Sequence, residues 1–259
     1  MLIGFCFLSL NSFVLIITFQ DSNFKSACIA LGIDTNNDGE IDQSEAQTVT
    51  LLNLANRGIT NLSGIEFFTS VQSLNLSTAP QSPDPPNNIT SLSFTAANSA
   101  IVSLNADDIS LSSLDISELT NLIILSCNNN NIQELEVFST DIETLLCENN
   151  NLTSLSFLPN SNLRFLNTGF NSLTSLDIST AFSLVDLRCY VNAITSLDLS
   201  NKTSLQYLDA NQNNLEALDI STTSSQLKTL VVPNNNLTIL NLRNGDFAIN
   251  AGQPSTLIA

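Results

Sequence analysis

The sequence predicts a mainly β solenoid of stacked parallel coils, within the mixed α/β repeat class, covered at its N-terminal end by a small helical cap. Three observations predict it. From residue 122 the chain repeats one hydrophobic frame every 20 to 22 residues. One position of that frame is asparagine in six successive copies: Asn130, Asn150, Asn171, Asn192, Asn213 and Asn235. Ahead of the first copy stands a single acidic loop, "DTNNDGEIDQSE", that belongs to no repeat.

Residues 1–20, "MLIGFCFLSLNSFVLIITFQ", carry no charge and read as a secretion signal, with cleavage expected between residues 11 and 20. Nothing beyond this segment is apolar enough to suggest membrane insertion. Residues 21–48 follow as a helical cap. Phe24, Ala27, Cys28 and Leu31 recur at helical spacing, with Asp21 or Ser22 as N-cap and Gly32 as terminator. In the loop itself, Asp34, Asn36 and Asp38 hold positions 1, 3 and 5, Gly39 position 6, Glu40 position 7, Asp42 position 9 and Glu45 position 12. That is the EF-hand-like spacing for Ca2+: hard oxygen ligands, a glycine for the sharp turn, a backbone carbonyl at 7 and a bidentate closing carboxylate. A solenoid exposes its core and strand edges at each end. The loop is therefore expected to use calcium structurally, clamping the cap to the first coil.

Residues 49–242 hold nine copies, starting at Val49, Val71, Ile101, Leu122, Ile142, Leu163, Leu184, Leu205 and Leu227. The second carries an insertion at 79–88, "APQSPDPPNN", whose prolines mark a protruding loop. Frame positions 4 and 6 alternate as in a strand, pointing inward, and positions 11, 14 and 16 supply a second apolar set. One coil cannot bury both sets alone; stacked coils share a core. The asparagine at position 9 has a donor and an acceptor, so it can bond turn backbone of its own and the neighbouring coil. Arg57 and Ile109 take this position in copies one and three, predicting less regular coils there. Cys127, Cys147 and Cys189 fall at position 6 and read as free core thiols. Residues 243–259 are a C-terminal tail.

Composition excludes much. Acids outnumber bases 24 to 7, a formal charge of −17, which opposes nucleic acid and anionic membrane. Histidine is absent, removing His-based nucleophile systems and the commonest general base. None of the eight glycines forms a phosphate loop. The expectation is a non-enzymatic protein.

Positions 3, 5 and 7 of each coil should face outward on the concave sheet. Most are small and polar, but copies five to eight present Leu146, Glu148, Phe165, Asp186, Arg188, Tyr190, Tyr207 and Asp209. Both tyrosines of the chain are here, beside one of its four arginines. Exposed aromatics with Arg are the makings of an interaction hot spot, and tyrosine also stacks on sugars, so the partner class is protein or glycan. Two alternatives are a glycoside hydrolase using two of Glu148, Asp186 and Asp209, and a structural protein that self-associates. Position 15 adds an acidic row, Asp115, Glu136, Asp177, Asp198 and Asp219, expected to be solvated or bonded to turn backbone.

The shared frame LxxLxCxxNxLxxLxI resembles the leucine-rich repeat over residues 49–242. The start, "NFKSACIALGIDTNNDGEIDQSEA" with "ITNLSGIEFFTSVQSLNL", resembles secreted bacterial leucine-rich-repeat proteins of the internalin-like surface type. That resemblance implies a right-handed leucine-rich-repeat solenoid, secretion or display on a bacterial cell surface, and partner binding through the solenoid. Many such proteins continue into a sorting or anchoring domain, relative to which the tail reads as truncated.

Overall fold

The computed structural model describes residues 15–79, 81–158, 162–223 and 227–242. Residues 1–14 of the expected signal and the tail from 243 lie outside them. Each coil opens with a three-residue strand, because the frame sets one leucine between two outward residues. Strands Leu51–Asn53, Ser73–Asn75, Ser103–Asn105, Ile124–Ser126, Thr144–Leu146, Phe165–Asn167, Asp186–Arg188, Tyr207–Asp209 and Thr229–Val231 form one parallel sheet in chain order. They pair in strict register, so Leu52, Leu74, Leu104, Leu125, Leu145, Leu166, Leu187, Leu208 and Leu230 stack in a single column. From Leu52 to Leu208 each is at most 1% exposed. Burying one such side chain contributes about 1.5–3 kcal/mol, so the column is a substantial part of the core's stabilisation. Apart from that sheet, separate two-stranded parallel pairs form, such as Glu134–Val137 with Ser154–Phe157.

Asparagine side chains link the coils. In coil five, Asn150 Oδ1 accepts the Ile132 amide of coil four, while its Nδ2 donates to the carbonyls of Cys127, Cys147 and Glu148. Asn130, Asn171, Asn192, Asn213 and Asn235 repeat the pattern. Copies one and three carry Arg57 and Ile109 in place of the ladder asparagine, and the turn amides of coil one are met from coil two. Asn87, at the end of the insertion and 2% exposed, accepts from the Arg57 and Ile59 amides and donates to the Leu54 and Leu76 carbonyls. It is the ladder residue of coil two, displaced in sequence by the inserted residues. The insertion also does not simply protrude: the Pro85 carbonyl accepts the Gly58 amide, returning the chain onto coil one.

The cap helix buries Phe24, Ala27 and Cys28 as the spacing predicted, but Leu31, expected with them, is the C-cap residue and 41% exposed, and the cap has one extension. Helix α1, Ser22–Ala30, is N-capped by Asp21, which accepts the Asn23 amide. The other oxygen of Asp21 accepts the Thr60 amide and hydroxyl and the Asn61 amide, tying the cap to coil one. Burial pushes this carboxyl up, but those hydrogen bonds outweigh it and hold it below the ordinary range. Phe24 is fully buried, edge-on to Phe19 and stacked at 5.8 Å on Phe68 of coil one. The extension lies inside the segment read as a signal. The Ile17 amide donates to the Ile41 carbonyl at 2.8 Å, the Gln43 amide to the Leu15 carbonyl at 2.9 Å, and Ile17 is buried. Residues 15–19 are thus a working part of the cap. Among the described residues no helix is long and apolar enough to cross a membrane.

Candidate functional site

In coils five to eight the outward residues form a connected surface. Phe165, Asp186 and Tyr207 are register neighbours, as are Leu146, Asn167, Arg188 and Asp209. The Arg188 guanidinium donates to both oxygens of Asp186, at 3.0 Å each, and lies 4.7 Å from the Tyr207 ring centre. The hydrogen bond to Asp186 raises the Arg188 pKa further. Phe165 is 40% exposed, with the Arg164 guanidinium 5.5 Å from its ring. Asp209 turns instead to the Asn211 amide and side chain. Burial and the Asp209 charge raise Tyr207 above its usual pKa.

Tyr190 spans two coils. Its hydroxyl donates to Glu148 Oε1 at 2.7 Å, and Asn167 Nδ2 donates to Glu148 Oε2 at 2.7 Å. This reach is possible because coil six carries Gly169 beneath the ring. A Cβ on Gly169 would sit 2.6 Å from the Tyr190 ring, inside any tolerated contact. Burial, then the bond to Glu148, pushes the Tyr190 phenol up to about 12. Phe170, 48% exposed, meets the Tyr190 ring edge-to-face, with centroids 5.4 Å apart and planes at 85°. Gly169 and Phe170 were missed from sequence, whereas Asn167 falls at an outward position of copy six; reading position 7 down the coils shows Gly169 between Glu148 and Tyr190.

Position 8 holds a second missed signal. It is left-handed in eight coils, at Asn56, Asp108, Asn129, Asn149, Phe170, Val191, Gln212 and Asn234. Asn and Asp tolerate this conformation; a β-branched valine resists it. The two apolar occupants, Phe170 at φ 52° and Val191 at φ 50°, adjoin Tyr190. Strain of this kind tends to persist where function holds it. Val191→Asn is therefore expected to raise the unfolding free energy by about 1 kcal/mol in denaturant titration. An unchanged or lower value would remove the strain argument.

The sequence alternative of a carboxylate pair finds little support here. Asp186 is neutralised by Arg188, while Glu148 and Asp209 are each engaged by side chains of the sheet. On the opposite face, Asp115, Asp177, Asp198 and Asp219 accept the amide of the serine two residues on. These bonds hold Asp115, Asp177 and Asp198 below the usual carboxylate range. Cys127, Cys147 and Cys189 are fully buried free thiols; burial pushes the latter two to about 12, leaving little reactive thiolate.

In the acidic loop Gly39 is at φ 81° and Asn37 at φ 59°. Asp34 accepts the Asp38 and Gly39 amides, Asn36 the Asp38 amide and Asp38 the Glu40 amide, so positions 1, 3 and 5 turn inward. The carboxylates at positions 7, 9 and 12 are committed elsewhere, although position 7 offers its backbone carbonyl to a metal. Asp42 and Glu45 form a capping box on helix α2, Gln43–Ala46, and Glu45 Oε1 also accepts the Thr35 amide and hydroxyl. Glu40 pairs with Lys25 at 2.7 Å. Burial raises Glu45, but bonds from Asp42, Thr35 and Asn36 bring it below its ordinary range; the Ser44 hydroxyl and the Glu45 amide lower Asp42. Among the described residues no three Asp, Glu or Cys side chains converge as a metal-holding group. The donor types suit calcium.

Repeat, register, one continuous leucine column and an asparagine ladder decide the architecture. The fold is a leucine-rich-repeat solenoid. Solved leucine-rich-repeat structures agree. The functional domain of InlJ from Listeria monocytogenes, described as including a cysteine ladder, is 27% identical, with a TM-score of 0.57 over 86% of this chain. This chain spans 59% of that domain. Internalin C2 from the same organism matches 86% of this chain and 93% of its own at 18% identity and a TM-score of 0.50. A TDR receptor matches 74% of this chain and 36% of its own at 20% identity and a TM-score of 0.57. These last two likenesses are of fold alone. No protein-family profile and no curated protein matches the chain.

Proposed function

We propose that this chain is a secreted or cell-surface binding module, not an enzyme, that takes a protein partner on its concave sheet. One observation carries the reading: both tyrosines and Arg188 are gathered on the outward face of coils five to eight. Elsewhere on that face the side chains are mostly short and polar. Likeness to the InlJ domain supports the interaction role, and a net charge of −17 offers nucleic acid no basic track.

The test is a panel of immobilised cell-surface proteins, with a glycan array beside it. Against a protein that binds, Tyr190→Ala with Tyr207→Ala is expected to weaken affinity more than about tenfold. The pair Glu134→Gln with Glu136→Gln, on the opposite face, should leave it unchanged. The reverse pattern would reject the concave site. Binding confined to glycans would change the partner class.

Calcium is the second element of the proposal. Asp34, Asn36, Asp38, the Glu40 carbonyl, Asp42 and Glu45 would hold the ion, which fixes the loop and hence the cap. At calcium a hundredfold above its dissociation constant, the cap should gain about 2.7 kcal/mol. Thermal melts with calcium and with chelator would show it as a raised midpoint. Coincident melts would refute calcium stabilisation.

A further inference from the structure

We propose that the corner formed by Phe170, Tyr190 and Glu148 receives an arginine side chain of the protein partner. This rests on the concave-face reading above and names the chemistry that face recognises.

The geometry is that of a cation receptor. Two rings stand at 85°, and the phenol of one is bonded to a carboxylate. Ring faces are negative in quadrupole and attract a cation, and a carboxylate beside them supplies the charge. Glu148 accepts one hydrogen bond on each oxygen, so each keeps a lone pair for a second donor. Among the described residues no lysine or arginine pairs with it; the ion pairs found there are Lys25–Glu40 and Arg188–Asp186.

The same sheet shows what such a corner takes. Tyr207 with Asp186 holds the Arg188 guanidinium by stacking and a bidentate bond, and Phe165 carries Arg164. Two of the ring sites are thus filled by arginines of the chain itself. The third, Tyr190 with Glu148, has ring and carboxylate but no arginine of its own. A planar guanidinium can stack on the ring while forking to the carboxylate, which an ammonium cannot do. The net charge of −17 favours approach of a basic segment. The left-handed Phe170 forms one wall at a position where six other coils use Asn, Asp or Gln.

The chain has no tryptophan, and its only tyrosines are Tyr190 and Tyr207, so tyrosine emission reports this face directly. The full chain would be titrated with octa-arginine and octa-lysine at about 0.15 M salt, where long-range attraction is screened. Octa-arginine should change the emission saturably and bind about tenfold tighter than octa-lysine. Glu148→Gln and Phe170→Asn should each weaken octa-arginine about tenfold, and the second variant relieves strain rather than adding it. Glu134→Gln with Glu136→Gln should leave it unchanged. Equal affinity for both peptides, equal loss in the opposite-face pair, or unchanged emission would each overturn the proposal. A panel protein that binds through the concave sheet while octa-arginine does not would remove the arginine assignment and leave the binding reading standing. A protein seated on the opposite face would remove both.

Discussion

Asn150→Ala is expected to lower the unfolding free energy by about 3 kcal/mol. The amide makes one bond to the Ile132 amide and three to carbonyls of coils four and five. Asn150 is 8% exposed, so water does not readily replace it. Alanine leaves at least one buried donor and one buried acceptor unpaired, at about 1–3 kcal/mol each. Because each coil touches only its neighbours, the loss weakens the interface between coils four and five. Denaturant titration should show an earlier midpoint, with a broadened transition if the two halves uncouple. Asn151→Ala, next in sequence but exposed, is the control and should change little. Equal effects at the two positions would mean the ladder is decorative.

Phe24→Ala should cost about 3–5 kcal/mol, the usual range for emptying a buried aromatic site. Phe24 is the centre of the cap interface, fully buried between Phe19 and Phe68. Its removal should free the cap and first coil while coils four to eight stay folded. Limited proteolysis would then cut near residues 32–40 before any site in the sheet. Global unfolding with no early cleavage would show that the cap and solenoid form one cooperative unit.

Much of this was legible in sequence, for physical reasons. Leu145 and Leu166 are buried because a strand has period two, and that period can be read directly. The asparagine ladder was legible because its chemistry demands one residue type at one place. Asn87 was not, because the insertion moves it out of frame while leaving it in position. Gly169 escaped for another reason: its role exists only once Tyr190 lies across it. Nor does composition reveal that Ile17 and Phe19 serve the cap, since the same apolar residues suit a signal. At the acidic loop the spacing named the candidate donors, but not that Glu45 would turn to the Thr35 amide and hydroxyl.

The most direct test of the central claim, one interior shared by all coils, is amide hydrogen exchange read coil by coil. The amides of Leu54, Leu76, Ala106, Cys127, Cys147, Thr168, Cys189 and Ala210 each bond the carbonyl of the next coil. They should form one slowly exchanging set running unbroken along the sheet, with faster exchange confined to the insertion and the last coil. Two or more internal breaks, with neighbouring coils exchanging at unrelated rates, would contradict a shared interior.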